Sequence, residues 1–200
     1  FMLRTRVCLI SGIYPPDIGG PAKFISEYSK WLQSQSIPVQ IITLNDLGDQ
    51  IKTDKNLTFT SHSRSRSIIF RFVLSIKAIY SSMKAGDYVL ANGMFIETYI
   101  ASLLSRKPYV AKVPGDFVWE RARNNGFTEK SVQEFQNIRL PLKYKLIRSI
   151  FTASLNKSTA VIVTSNYLAN FCINWGIPKD KIHLIRNAVS SSKFQFNIDK

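Results

Sequence analysis

Two short segments hold the residues best suited to chemistry. In Lys112–Glu120, K-V-P-G-D-F-V-W-E, the carboxylates Asp116 and Glu120 lie four residues apart, with Lys112 just upstream. Carboxylates in that place could orient a hydroxyl group or take its proton. The same residues also suit a plainer arrangement, in which Asp116 caps a helix and Glu120 pairs with Arg121, Arg123 or Arg4. In Val7–Phe24, V-C-L-I-S-G-I-Y-P-P-D-I-G-G-P-A-K-F, an apolar run ends at Ser11-Gly12 and a short loop leads through Gly19 and Gly20 to Pro21. Pro21 then opens a stretch with Phe24, Ile25, Tyr28 and Leu32 on one helical face. Proline fits a first helical turn because its missing N–H would be unpaired there. Glycines let a ligand approach the backbone, and a helix start offers unpaired donors and partial positive charge to an anion such as a phosphate. Many α/β proteins begin in this way without binding anything at the loop. The loop is neither G-x-G-x-x-G nor G-x-x-x-x-G-K-[ST].

The elements that must position these segments follow from the hydrophobic pattern. Strand candidates are Val7–Ser11, Val39–Thr43, Leu57–Ser61, Tyr88–Ala91, Tyr109–Val113, Ala160–Thr164 and Ile182–Ile185. They are short and mostly apolar, as in a parallel sheet buried on both faces. Helical patterns at Pro21–Ser34, Ile68–Met83, Phe95–Leu104, Leu140–Leu155 and Asn166–Trp175 separate most of them. The alternation predicts an α/β fold with a doubly wound, mostly parallel sheet of about seven strands and helices on both faces. Asp46–Asn56 and Ser61–Ser67 read as polar loops, which puts His62 on the surface, whereas His183 reads as a strand residue. In such a sheet, ligands sit beyond the carboxyl ends of the strands near the switch point. Four segments should therefore meet at one crevice: Ile13–Gly20, Asn92-Gly93, Pro114–Glu120 and Thr164-Ser165. Asn92 and Ser165 become candidate acceptor-binding residues on strand-end geometry alone.

The chain has 200 residues, 45% of them hydrophobic and 12% aromatic, ample for one domain with a substantial core. Its formal net charge is +14, which bears on partners rather than on fold. Cys8 and Cys172 each lie in apolar stretches without metal-ligand spacing and read as buried thiols, in keeping with a reducing compartment. No histidine has ligand-spaced companions, so no metal site is expected. The opening F-M-L-R-T-R has no signal-peptide apolar run and no segment approaches a membrane span, which predicts a cytoplasmic chain.

The positive charge is concentrated in two acid-free runs. Lys55, Arg64, Arg66, Arg71, Lys77 and Lys84 lie between Asp54 and Asp87; Arg139, Lys143, Lys145, Arg148, Lys157 and Lys179 lie between Glu134 and Asp180. Within Ile68–Met83 the predicted core face is Ile68, Phe72, Ile76, Ile79, Tyr80 and Met83. Phe70 and Leu74, flanked by Arg71 and Lys77, fall on the other side. An apolar pair ringed by cations suits an anionic bilayer, here the inner face of the membrane, or the face packs on another element. Nucleic acid is the rival partner for so basic a chain, but no helix-turn-helix, RRM, KH or zinc-finger pattern is present, so none is expected.

Three motifs, in order along the chain, resemble the large retaining GT-B glycosyltransferases of family 4. Pro15, Pro16, Gly19 and Gly20 match their P-P-x-x-G-G loop. Gly115 and Asp116 match the glycine–aspartate pair that some relatives carry at the acceptor pocket, in a G-D-x-x-W-E pattern, with Pro114 where others have histidine. Lys181–Phe194 resembles I-P-N-G-V-D…F, matching at Asn187, Val189 and Phe194 and departing at Arg186, Ala188 and Ser190. The resemblance implies one Rossmann-like half of a GT-B enzyme, residues 1–200, with 187–200 leading toward a C-terminal donor domain. It implies retaining transfer from a nucleotide-sugar co-substrate to a glycan or lipid-linked acceptor, without other cofactors and without a required metal. It places the donor diphosphate at Gly19 and Gly20, catalysis at Asp116 and Glu120, and acceptor binding at Gly115 with Lys112 in support, beside the strand-end candidates Asn92 and Ser165. The family's donor-side E-x-x-x-x-x-x-x-E pair is absent from this sequence. The isolated chain is therefore expected to be inactive without a C-terminal domain, in cis or as a separate subunit. A non-catalytic basic module docking a membrane or partner chain is the alternative. Another nucleotide-using enzyme, such as an epimerase, is disfavoured by the missing G-x-G-x-x-G and by the lack of a well-placed Tyr-x-x-x-Lys.

Overall fold

The computed structural model describes residues 6–188. The elements run β1 (Val7–Ile10), α1 (Gly20–Ser34), β2 (Val39–Asn45), β3 (Gln50–Asp54), β4 (Leu57–Ser63), α2 (Ile68–Lys84), β5 (Tyr88–Ala91) and α3 (Phe95–Ser105). They continue through β6 (Val110–Val113), α4 (Phe117–Asn124), α5 (Val132–Phe135), α6 (Leu142–Lys157), β7 (Ala160–Val163), α7 (Asn166–Asn174) and β8 (Ile182–Leu184). The strands form one sheet in the order β3-β4-β2-β1-β5-β6-β7-β8. Every pairing is parallel except β3 with β4. This is the doubly wound, Rossmann-like sheet that the alternating pattern predicts.

Alternate residues of each strand feed two cores. On one face Leu9, Val39 and Ile41 pack under Ile25 and Leu32 of α1. On the other, Cys8, Ile10, Val161 and Val163 join Ile79 and Met83 of α2, Phe95 of α3, Phe151 and Leu155 of α6 and Phe171 of α7. Cys8 and Cys172 are both buried free thiols, each pushed up to about 12 by burial.

Three parts differ from the sequence pattern. The polar loop expected at Asp46–Asn56 contains β3, whose residues pair antiparallel with β4 around the two-residue turn Lys55-Asn56. As an edge strand it needs no buried apolar face, so alternation did not mark it. β4 runs on to Ser63, which carries His62 into a buried position where desolvation lowers its pKa. In α2, Ile68 and Tyr80 are exposed, and Ser75 and Ser82 share the buried face with Ile79 and Met83. Ser82 Oγ donates to Gln40 Oε1 at 2.8 Å, so a small hydroxyl rather than a large apolar side chain joins α2 to β2.

Candidate active site

β1 has β2 on one side and β5 on the other, so the direction of winding changes between β1 and β5. Beyond the carboxyl ends of these strands lies a cavity of about 340 Å³. It is lined by Ile13 from the first loop, Gly20 and Pro21 from α1, Asn92 after β5, Lys112 and Pro114 from β6, Glu120 from α4, Thr164 after β7, and Asn187. Residues of all four segments named from the sequence thus come together.

The first wall is the β1–α1 loop. The Gly19 backbone is extended, and a Cβ there would stand 2.8 Å from Ile13 Cδ1. Gly20 begins α1, and a Cβ there would meet nothing within 4 Å. No side chain caps this helix start, so its first-turn N–H groups keep no side-chain acceptor. Arg64 binds the loop from outside. Its guanidinium donates to the Gly12 carbonyl at 2.9 Å, to the Leu44 carbonyl at 3.1 Å, to Asp46 at 3.0 Å and to both oxygens of Asp17. That arginine holds the Asp17 carboxyl below the usual range. Behind the loop, Gly93 is obligatory, since a Cβ would lie 2.8 Å from the Gly12 nitrogen.

The floor is polar. Asn92 is buried, with its amide group 3.4 Å from the Pro21 carbonyl and its Oδ1 unpartnered. Lys112 is buried on β6. Its Nζ donates to Asn187 Oδ1 at 3.0 Å and sits 4.1 Å from the centre of the Phe24 ring. Desolvation lowers its pKa.

The second wall is α4, and it separates the two carboxylates. Asp116 is the N-cap: Oδ1 accepts from Val118 N–H at 2.9 Å and Trp119 N–H at 3.2 Å. Oδ2 accepts from Gln136 at 2.8 Å and Arg148 at 2.6 Å. The Asp116 side chain has no exposed surface. The expectation that Asp116 faces an acceptor in the crevice is therefore corrected: its side chain is fully buried and both oxygens are engaged, in the capping arrangement, by Val118, Trp119, Gln136 and Arg148. Glu120, one turn on, is the carboxylate in the cavity wall. Burial raises its pKa, and the nearby Asp116 charge adds to the rise. It folds back over Gly115, where a Cβ would stand 2.6 Å from Glu120 Oε1. Gly115 thus makes room for Glu120.

Ser165 caps α7, accepting from Leu168 N–H at 3.2 Å, while its neighbour Thr164 lines the cavity. Arg148, Gln136 and Arg64 were not singled out from the sequence as site residues. Gln136 also accepts from Trp175 Nε1 at 2.9 Å, and Arg148 stacks 4.4 Å from the Trp175 ring centre, so one network of half-buried side chains around the buried Asp116 supports the second wall. On α2, Phe70 and Lys77 are exposed. Leu74 and Arg71 are half-buried, and Arg71 donates to the Arg64 carbonyl at 3.1 Å. The outward apolar residues are Ile68, Ile69, Phe70 and Val73, which corrects the Phe70/Leu74 pairing. Val189, Ser190 and Phe194 of the final motif lie outside the described residues.

A family model for Glycosyltransferase Family 4 matches residues 18–193, and the chain belongs to that family. Among solved structures, sucrose-phosphate synthase from Thermosynechococcus elongatus is similar with a TM-score of 0.64 at 14% identity, over 94% of this chain and 49% of that one. Anabaena HepE in complex with UDP and glucose gives 0.62 at 12% identity, over 94% and 46%. The lipopolysaccharide outer core galactosyltransferase WaaB gives 0.57 at 15% identity, over 93% and 46%. The chain thus spans about half the length of these structures, and its fold corresponds to one half of a GT-B architecture. A comparison with curated protein sequences gives no match. Among the described residues no helix is long and apolar enough to cross a membrane.

Proposed function

We propose that this chain is the acceptor-side half of a nucleotide-sugar-dependent glycosyltransferase that acts, with a C-terminal donor domain in cis or as a second subunit, on a glycan or lipid-linked acceptor. The observation that carries the reading is Glu120, a partly desolvated carboxylate in the wall of the switch-point crevice, above the buried cation Lys112. HepE, a structure of similar fold, is bound to UDP and glucose, which supports a nucleotide-sugar donor. The donor diphosphate would lie against the uncapped start of α1 at Gly19 and Gly20. Glu120 would accept a hydrogen bond from the attacking hydroxyl and then its proton; for retention, that hydroxyl would enter on the face from which the diphosphate departs, the new glycosidic bond forming as the bond to the diphosphate breaks. A raised pKa brings such a base nearer to neutrality, where it works best. Lys112 and Asn92 would hold the acceptor, and Asp116 would act through α4 by fixing where Glu120 points. The family resemblance supports retention and a reaction that needs no metal.

Glu120→Gln in the complete enzyme tests this. Loss of a general base costs about 10²–10⁴-fold in kcat, and the melting temperature should hardly move. An unchanged kcat would remove Glu120 from the reaction. The 200-residue chain alone should give no turnover with nucleotide-sugars and sugar or lipid acceptors.

A second reading concerns location. Ile69 is 79% exposed and Val73 47%, beside Phe70, with Arg66 4.9 Å from the Phe70 ring centre and Lys77 nearby. Such a face suits an anionic membrane surface. Ile69→Ser with Val73→Ser keeps every charge and should weaken flotation with anionic vesicles; equal flotation would discard the docking role.

A further inference from the structure

A second cavity lies on the far side of the β1–α1 loop from the crevice. It occupies about 470 Å³ between Tyr14–Pro16 and the β3–β4 hairpin. That is within the range, about 300–1,000 Å³, in which proteins hold small organic ligands. Its floor is aromatic: the Tyr14 and Phe59 rings stand 5.2 Å apart at 52°, with Leu57 beside them. Its rim is neutral and polar. Asn45 is fixed by donating to Ser61 Oγ at 2.7 Å and accepting from Leu47 N–H at 3.1 Å. Each of its two amide atoms keeps one further hydrogen-bonding position. Gln50 and Lys52, on the edge strand β3, line the cavity with no side-chain hydrogen bond among the described residues.

A third hollow, lined by Pro15, Asp17, Gly19, Gly20 and Lys23, lies against the same loop. It shares Pro15 with the aromatic cavity and Gly20 with the crevice, so the three hollows border one another along the loop. A ligand with its reactive end beside Glu120 would reach Tyr14 and Phe59 by following the loop past Gly20 and Pro15.

We propose that the Tyr14–Phe59 cavity is a carbohydrate subsite that holds the sugars of an oligosaccharide acceptor remote from the reacting hydroxyl. The inference rests on the glycosyltransferase reading and names the acceptor class within it. A sugar ring has an apolar C–H face and a hydroxyl edge. An aromatic floor takes the face, and amides such as those of Asn45 and Gln50 both donate to and accept from the edge. The charge pattern separates this from other ligands. Lys52 is offset by Asp54 in the same lining, so the cavity has no net cation to bind a phosphate group. A bare acyl chain would leave the rim amides without partners.

The test is titration of the chain with a defined panel of neutral mono- to tetrasaccharides, followed by amide NMR. At least one oligosaccharide should shift Tyr14, Gln50 and Lys52, and should bind more tightly than its constituent monosaccharide. Gln50→Ala with Lys52→Ala alters only the side of an edge strand and leaves the core intact. It should weaken binding about tenfold, equivalent to 1.4 kcal/mol. Lys145→Ala, on the exposed side of α6, should leave this binding unchanged. The subsite is refuted if no saccharide shifts these amides, if the β3 variant binds as well as the parent, or if Lys145→Ala weakens binding to the same degree. The outcome is distinguishable from failure of the transferase reading. Saccharide bound at Tyr14 with kcat indifferent to Glu120 keeps the subsite and loses the active site; loss of kcat without saccharide binding does the reverse.

Discussion

The two walls of the crevice are each fastened by an aspartate–arginine pair, and the pairs differ in their access to water. At the first wall, Arg64 and Asp17 keep 25% and 23% of their side-chain surface exposed. At the second, Arg148 keeps 16% and Asp116 none. An exposed pair gains little from its charges, because water and salt screen them. What Arg64 contributes is its fork, which joins the Gly12 and Leu44 carbonyls to Asp17 and Asp46 and so ties the β1–α1 loop to the end of β2. The buried pair differs in kind. The Asp116 carboxylate has left water altogether and Arg148 most of the way, so the carboxylate depends on its cation. The second pair thus fixes the start of α4, the helix that carries Glu120, whereas the first ties a loop to the end of a strand.

Replacing the arginines in turn should separate the two walls. Arg148→Met strands the Asp116 carboxylate without its cation and should lower stability by about 3–5 kcal/mol. Urea unfolding would register this, and in a chain of this size each kcal/mol lowers the melting temperature by about 2–4 °C. Adding Asp116→Leu should recover most of the loss except the cap, worth about 1 kcal/mol. A loss below about 1 kcal/mol for Arg148→Met would mean that both walls are fastened in the same way. Arg64→Met should cost about 1 kcal/mol or less and show itself instead as faster amide exchange over residues 12–18. Unchanged exchange there would deny Arg64 its tethering role.

The smallest effect is in pH, and it has opposite signs at the two walls. Arg64 lowers the Asp17 pKa, so that pair stabilises the fold above the ordinary carboxylate value and its contribution is lost as pH falls through the folded value. Burial raises the Glu120 pKa, so the folded state holds its proton longer than the unfolded chain. Stability from that group falls as pH rises from the ordinary glutamate value through the raised one. Glu120→Gln should remove this decline, gaining on the parent at neutral pH and matching it in acid. A parallel pair of stability curves would show that Glu120 is not desolvated.

The strands and long helices were legible because their apolar residues must be buried, and burial imposes a period. β3 escaped because an edge strand can form with its side chains in water. Only the tight turn at Lys55-Asn56 ahead of Leu57 hinted at it. The α2 face was misassigned because Ser75 and Ser82 are chosen for size, allowing close approach, and hydrophobicity does not encode that. The crevice could be placed because strand ends and the switch point follow from topology. Which of Asp116 and Glu120 lines the crevice could not be decided, since the sequence allowed Asp116 to be a cap or a crevice carboxylate alike. The choice depends on Gln136 and Arg148, distant in the chain. Arg64 looked like one cation among several in a serine-rich loop, and nothing local distinguishes the one that reaches the Gly12 carbonyl.

The β1–β5 pairing also has a consequence for how the chain folds. Arg6 and Asp87, just below this seam, bond at 2.9 Å although 81 residues separate them. On one side β1, β2 and β4 with their hairpin are consecutive in the chain, and on the other β5, β6, β7 and β8 are; every strand pairing within a side joins residues closer in sequence than Val7 and Tyr88 across the seam. Contacts that close long loops cost more chain entropy and form late, so each side can assemble before the two zip together. The line along which they join ends at the Gly12–Gly93 contact, directly behind the crevice. The pocket is thus completed only when two separately nucleated halves meet, and slow zipping of β1 onto β5 would delay competence for ligand after most of the helical signal has returned. Refolding followed in parallel by circular dichroism and by exchange protection of Ile10 and Ala91 would time that event.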